Sequence, residues 1–330
     1  MANHNPLVAF ILYILFILAT VVIAGHPFWE QHATPFSLNY VRMAPSEFQQ
    51  VWPNTRVPYC YTNHRVREYL DLYIKFAMGA WYAAGLPSHF VMEEISREEC
   101  LRHRKTSLEI GMSANAGWYS STGMSTALGE AGPIMMLGMT RPDLFAFNLP
   151  SVIHEIGHVW GLFHEHQDPT LWRGDYSPFE FHCPNLAQFA EKTAGLSYEQ
   201  IWGQDGICVN QWSAANSHFT AINFLPLPWA NTISPREDLA GADQVDWKSV
   251  MLYESSSFAV DEGRTGLFSY TRKAGPPYIE KNNVPSTWDV LGIKRMYGSR
   301  DSQPQPILYN EPRSPFYSLF AKLLPECHRR

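Results

Sequence analysis

The sequence predicts an α+β protein: strands and two long helices fill its N-terminal half, and a largely irregular remainder is closed by one last helix. Three observations predict this. A short apolar strand is followed at once by a long stretch with helical spacing. Further strand-like runs precede a second helix rich in histidine. From there to about Val245, Pro, Gly, Asn and Trp follow in irregular order until a capping signature at Ser286.

The chain opens on an apolar run without a charge, Leu7 to Ala24, that ends in small residues suited to signal peptidase. Residues 1–24 therefore read as a signal peptide. An uncleaved signal anchor is the alternative, because the run is long enough to span a bilayer and no Lys or Arg precedes it. Residues 25–51 lack strong periodicity and read as a pro-segment or linker. A folded domain is expected over 52–298, and 299–330 form a Pro- and Ser-containing tail without a periodic core.

Within the domain, Arg56 to Tyr61 (RVPYCY) reads as the first strand. From His64 to Gly85 the residues Val66, Tyr69, Leu70, Tyr73, Ala77, Ala80, Trp81 and Ala84 fall at helical spacing. Gly85 and Pro87 stop this amphipathic helix, whose aromatic stripe is expected to be core. Ser107 to Ser120 and Pro133 to Leu137 read as strands with Gly-containing connections. The next helix is expected to start near Pro150, where a missing N–H costs nothing. One helix is expected around Leu186 to Ala194. The last is signalled by Ser286 and Asp289 as a capping box, with Gly298 placed to end it.

The composition narrows the functional classes. With 11 Trp, 16 Tyr and 19 Phe and only 17% charged residues, the 330-residue chain has the makeup of a folded protein. A net charge of -6 without a Lys/Arg block offers nothing to nucleic acid, so that class is excluded. Five cysteines suit the secretory pathway, and with it a secreted, extracellular protein. The expected pairs are Cys60 with Cys100 and Cys183 with Cys208, leaving Cys327 over, either free, joined to another chain, or displacing one member of these pairs. There is no Asn-x-Ser/Thr acceptor for glycosylation.

The chemistry is concentrated in HEIGHVWGLFHEH, residues 154 to 166, which holds four of the thirteen histidines. His154 and His158 are four apart and share one helix face, within reach of one ion. Glu155 beside them is poorly aimed to be a ligand and points to where a metal-bound water would lie. Gly161 can adopt the left-handed conformation that ends a helix, bringing His164 back to the same ion. Three neutral imidazoles make an open zinc site whose fourth place goes to water, whereas a structural zinc would be closed by another protein ligand, usually Cys. No Cys lies near. The expected chemistry is peptide hydrolysis by a zinc-bound water, with Glu155 as general base. His166 faces elsewhere and reads as a residue behind the ligands or on the surface.

His154, Glu155, His158, Gly161 and His164 together resemble the metzincin zinc endopeptidases, and within them the astacin family, whose signature continues with a Glu at the position of Glu165. Ser249 to Tyr253 (SVMLY) resembles the family's Met-turn. The resemblance implies a twisted, mixed N-terminal sheet with two long helices, one of them zinc-binding, and an irregular C-terminal subdomain holding the Met-turn and a closing helix. It implies one catalytic Zn2+ on His154, His158 and His164, with Met251 beneath it. Tyr253 would be an additional zinc ligand that swings away to stabilise the oxyanion. VWPNTRVPYCY is similar to the start of the mature domain, SLEIGMSANAGWYS to the cleft-edge strand along which a protein or peptide substrate would lie, and STWDVLGIKRMYG to the closing helix. The stretch after the third histidine, EHQDPTLWRGDY, departs from the family pattern. Residues 25–51 contain no Asp or Cys with which to cap a zinc, leaving Glu30 or Glu47 for any latency.

Two other readings stand beside a secreted zinc endopeptidase. One is a binding protein on the same scaffold, against which the retained Glu155 speaks. The other is a protease anchored in a membrane through Leu7 to Ala24, the only feature that would make a membrane a partner. The tripeptide RGD at Arg173 to Asp175 is read as part of a turn and not as an adhesion signal.

Overall fold

A computed structural model describes residues 51–113, 117–124, 132–139, 145–172, 177–227 and 245–297. The apolar run Leu7 to Ala24, the segment before Val51, the RGD tripeptide, Gly298 and the tail with Cys327 lie outside the described residues.

The chain enters through β1 (Arg56–Tyr61), α1 (His64–Ala83) and β2 (Val91–Glu94), a unit whose two strands are parallel and so need a crossover helix. Then come α2 (Arg97–Arg102), β3 (Leu108–Met112), β4 (Tyr119–Ser120), β5 (Ile134–Leu137) and α3 (Phe145–Val159). The sheet order is β2-β1-β3-β5-β4, parallel throughout except for the last pair, where β4 runs antiparallel to β5 at the edge. Alternate residues of the strands, Val57, Tyr59 and Tyr61, Leu108 and Ile110, Met135 and Leu137, enter one core with the buried faces of α1 and α3. Cys60, of opposite parity, bonds to Cys100 on α2.

Both long helices begin and end for local reasons. The Asn63 side chain accepts the Val66 N–H at 3.1 Å, capping α1. Gly85, at φ 106°, ends it, with Gly85 N donating to Tyr82 O and Leu86 N to Trp81 O. The same pair of bonds recurs after α3, where Gly161 also has φ 106° and Leu162 N returns to Gly157 O. The buried Trp52 indole donates to Val159 O at 2.7 Å, so the start of the domain seals the end of the histidine helix.

The structure corrects the sequence reading in four places. The histidine helix starts at Phe145, so Pro150 lies inside it. Phe145 stacks on Tyr73 at 4.4 Å and meets Phe76 edge-on at 5.2 Å, and this aromatic packing holds the extra turn despite the lost backbone bond. Of the stretch likened to a cleft-edge strand, Leu108–Met112 lies between β1 and β5, and Tyr119–Ser120 alone forms the edge. β2 gave no alternating pattern because neither of its faces is fully buried.

The fourth correction concerns the region after α3. It has a core of its own, built from Phe179, Phe219, Phe224, Tyr270 and Ile279 among others. Around it lie β6 (Phe179–Phe181), α4 (Phe189–Thr193), α5 (Tyr198–Trp202), α6 (Gln211–Asn216) and β7 (Tyr270–Arg272), with β6 and β7 antiparallel. Only α4 falls where a helix was expected. The Cys183–Cys208 disulfide closes this region, and α7 (Thr287–Met296) returns to the first core through Val290 and Ile293. Ser286 and Asp289 form the expected capping box. Among the described residues no helix is long and apolar enough to cross a membrane.

Candidate metal centre

His154 and His158 project from successive turns of α3. The left-handed Gly161 turns the chain, and His164 follows in extended backbone at the head of a 3-10 turn, Glu165–Gln167. The three rings converge: His164 Nε2 lies 3.1 Å from His158 Nε2 and 3.2 Å from His154 Nε2.

What lies behind the rings decides what these contacts are. His154 Nδ1 faces Val250 O at 2.8 Å, His158 Nδ1 faces Leu162 O at 2.7 Å, and His164 Nδ1 faces Gln167 Oε1 at 2.7 Å. Carbonyl oxygens only accept, so each Nδ1 carries the hydrogen and each Nε2 presents a bare lone pair. Three lone pairs this close repel one another unless a cation lies between them. Bonds of about 2.0–2.1 Å from a tetrahedral zinc would set nitrogens about 3.3 Å apart, close to the spacing found. The donor set and its hydrogen-bonded backing thus fit zinc. Burial holds His154 down to about 4 and His164 well below the usual imidazole range, so both stay neutral and able to bind metal at pH 7.

Glu155 is buried beside this cluster. Its Oε2 accepts from Ser120 Oγ at 2.7 Å, which ties it to the edge strand β4. Burial pushes Glu155 up to about 8, and the Ser120 bond opposes that rise. The Tyr253 ring lies 4.4 Å from the His164 ring and 5.8 Å from that of His154, and its backbone oxygen accepts from Tyr270 Oη.

The turn at Ser249 to Tyr253 supports the cluster from below. Its Val250 oxygen orients His154, and its Met251 oxygen accepts from Glu165 N at 3.0 Å. α7 braces the turn: Asp289 accepts from Ser249 Oγ at 2.6 Å and from Val250 N at 2.9 Å, while Asn282 Nδ2 reaches Trp247 O and Ser249 O. Burial pushes Asp289 up to about 6 against these bonds. Met251 is buried against α3, where a Cβ on Gly157 would lie 2.4 Å from its sulfur. Glu165, directly after His164, accepts from Asp246 N at 2.9 Å.

His154, His158 and His164 thus converge, with the Tyr253 ring beside them and Glu155 buried next to His154 on the same helix, while Glu30 and Glu47 lie outside the described residues. His166 is fully buried, which removes the surface reading: its Nε2 donates to Asn223 O at 2.7 Å and its ring stacks on His164 at 5.4 Å. The sequence reading missed Ser120, Gln167 and the second role of Asp289. Gln167 follows His164 at the spacing of one 3-10 turn, a signal that was available. Ser120 meets Glu155 only through the sheet and left none.

No protein-family model and no curated protein sequence matches the chain. Among solved structures, the chain is similar to high choriolytic enzyme 1, a hatching enzyme zinc-protease from the medaka fish Oryzias latipes. The TM-score is 0.46 at 18% identity, over 78% of this chain and 98% of that one. Two structures of myroilysin also align, both at TM-score 0.43. One has 17% identity over 77% of this chain and 97% of that one, and the other 18% over 75% and 85%.

Proposed function

We propose that the chain is a secreted zinc-dependent endopeptidase of the astacin type, with residues 52–298 as its protease domain. One observation carries the reading: three imidazoles, each with its Nδ1 hydrogen tied to a carbonyl, aim bare Nε2 atoms at one point beside a buried carboxylate. His154, His158 and His164 would hold one zinc, with Tyr253 as a further ligand. Bound there, zinc supplies a Lewis acid and makes water acidic enough to be used near neutral pH.

The chain's own residues do the rest. Beside a cation held by the three imidazoles the buried Glu155 carboxyl would return to its charged form, and Glu155 then takes the proton of the attacking water and delivers it to the leaving amine. Ser120 keeps the Glu155 carboxylate turned into the site. The Tyr253 hydroxyl donates to the oxygen on which negative charge develops. The edge strand β4 offers its outward backbone groups to an extended protein or peptide, which binds as an added strand. Two disulfides support an oxidising, extracellular setting, reached through residues 1–24 as a cleaved leader.

The test is cleavage of a mixed peptide library by the purified protein, with and without a zinc chelator, alongside metal analysis. Chelator-sensitive cleavage with one zinc per chain is expected. Stoichiometric zinc without cleavage would replace the enzyme with a binding protein on this scaffold, and absence of zinc would end both.

A further inference from the structure

The three ligands differ in what orients them. His154 and His158 lean on backbone oxygens, of Val250 and Leu162, which no substitution at those positions removes. His164 leans on a side chain, Gln167, which is 3% exposed.

The direction of that carboxamide is forced. Gln167 Nε2 donates to Ile222 O at 2.8 Å and to Leu225 O at 3.0 Å, which uses both of its hydrogens. Reversing the amide would set its oxygen against two oxygens and leave two donors facing Nδ1–H of His164. The oxygen must therefore face His164, so that ring must carry its hydrogen on Nδ1 and leave Nε2 bare. The backbone reinforces the arrangement: Leu227 N donates to Gln167 O at 3.0 Å, and the neighbouring His166 holds Asn223 O. Residues 222–227 are thereby stitched to the turn that carries the third ligand.

We propose that Gln167 is the positioning residue of the metal centre. By holding its amide between residues 222–225 and His164, it fixes the tautomer and aim of the third ligand, and the acceptor it presents to Nδ1–H is what metal affinity depends on. The proposal rests on the zinc site argued above.

The test uses the full chain, stripped of metal and titrated with zinc against a competing chelator, as Gln167→Met and Gln167→Glu. Melting of the metal-free proteins is followed in parallel. Methionine keeps the bulk and removes both hydrogen-bonding ends. It is expected to weaken zinc binding roughly 10- to 100-fold and to shift the visible spectrum of the cobalt(II) form. Glutamate restores an acceptor for Nδ1–H but loses both donations. Its zinc affinity should stay within about threefold of the unaltered protein, or rise, while its metal-free melting temperature falls as it does for methionine. Zinc binding indifferent to Gln167→Met, or lost in both variants in step with stability, overturns the proposal and gives Gln167 a purely structural role. A protein with no stoichiometric zinc before any substitution overturns instead the reading on which it rests.

Discussion

The region before Gly161 and the region after it satisfy their buried polar groups by different means. In the first, most backbone groups pair within the five-stranded sheet and along α1 and α3, side chains such as Trp52, Trp81 and Tyr82 reach single carbonyls at Val159, Ile153 and Phe90, and the side chains that face inward are mostly apolar. In the second, helices of five or six residues leave many backbone oxygens without a partner of their own, and side chains come to them. Gln167 reaches Ile222 and Leu225, His166 reaches Asn223, Asn185 reaches Phe268, and Asn282 reaches Trp247 and Ser249. The first region supplies a rigid helix carrying two of the converging imidazoles and a carboxyl group. The second supplies the third imidazole and the bonds that aim the rings. Rigid elements set where the site is, and side-chain to backbone bonds set which way its atoms point.

The comparison can be broken most severely from the regular side. His158→Ala is expected to abolish both zinc retention and peptide cleavage, because two remaining nitrogens hold the metal too weakly. Metal analysis after dialysis, paired with a cleavage assay, reads both. Glu155→Ala should leave zinc content and folding intact and lower turnover by roughly 10²–10⁴-fold; equal activity in the variant would exclude this carboxylate as the base. From the irregular side, Tyr253→Phe should reduce turnover by about 10²-fold with little change in zinc content, and an unchanged rate removes the hydroxyl from the mechanism. The smallest effects set the two regions against each other without touching the chemistry. Replacing both members of one disulfide at a time removes links across separations of 40 residues for Cys60–Cys100 and 25 for Cys183–Cys208. Chain entropy then predicts losses of about 4 and about 3.5 kcal/mol. Denaturant unfolding of each double variant checks the order, and a much larger loss from the second would show that the irregular region depends more on its covalent tie.

The same contrast explains what could be read from the sequence. The long helix from His64 was legible because three turns and more repeat one apolar face, and its end because Gly85 marks it. The convergence of His154, His158 and His164 was legible because helix pitch and a glycine turn relate them locally. α5 and α6 are each under two turns long, too short for a periodic face to appear. The second core was hidden for that reason, although its Phe and Tyr residues were in view. Ser120 meets Glu155 across 35 positions and Asp289 meets Ser249 across 40, contacts that depend on the finished fold. Pro150 misled because a rule about helix starts was applied where Phe145, Tyr73 and Phe76 had a stronger claim.

Gly157 gives the histidine motif a meaning that its spacing conceals. Two positions separate Glu155 from His158, and in this chain the second of them is not a spacer: the thioether of Met251 occupies the room where a methyl group would be, with the Trp81 ring 3.1 Å away on the other flank. An alanine there would evict the sulfur and push on the loop whose carbonyl aims His154. Variation in this protein is therefore expected to treat residue 157 as strictly as the ligands themselves, while Ile156 can exchange for any apolar neighbour of similar size.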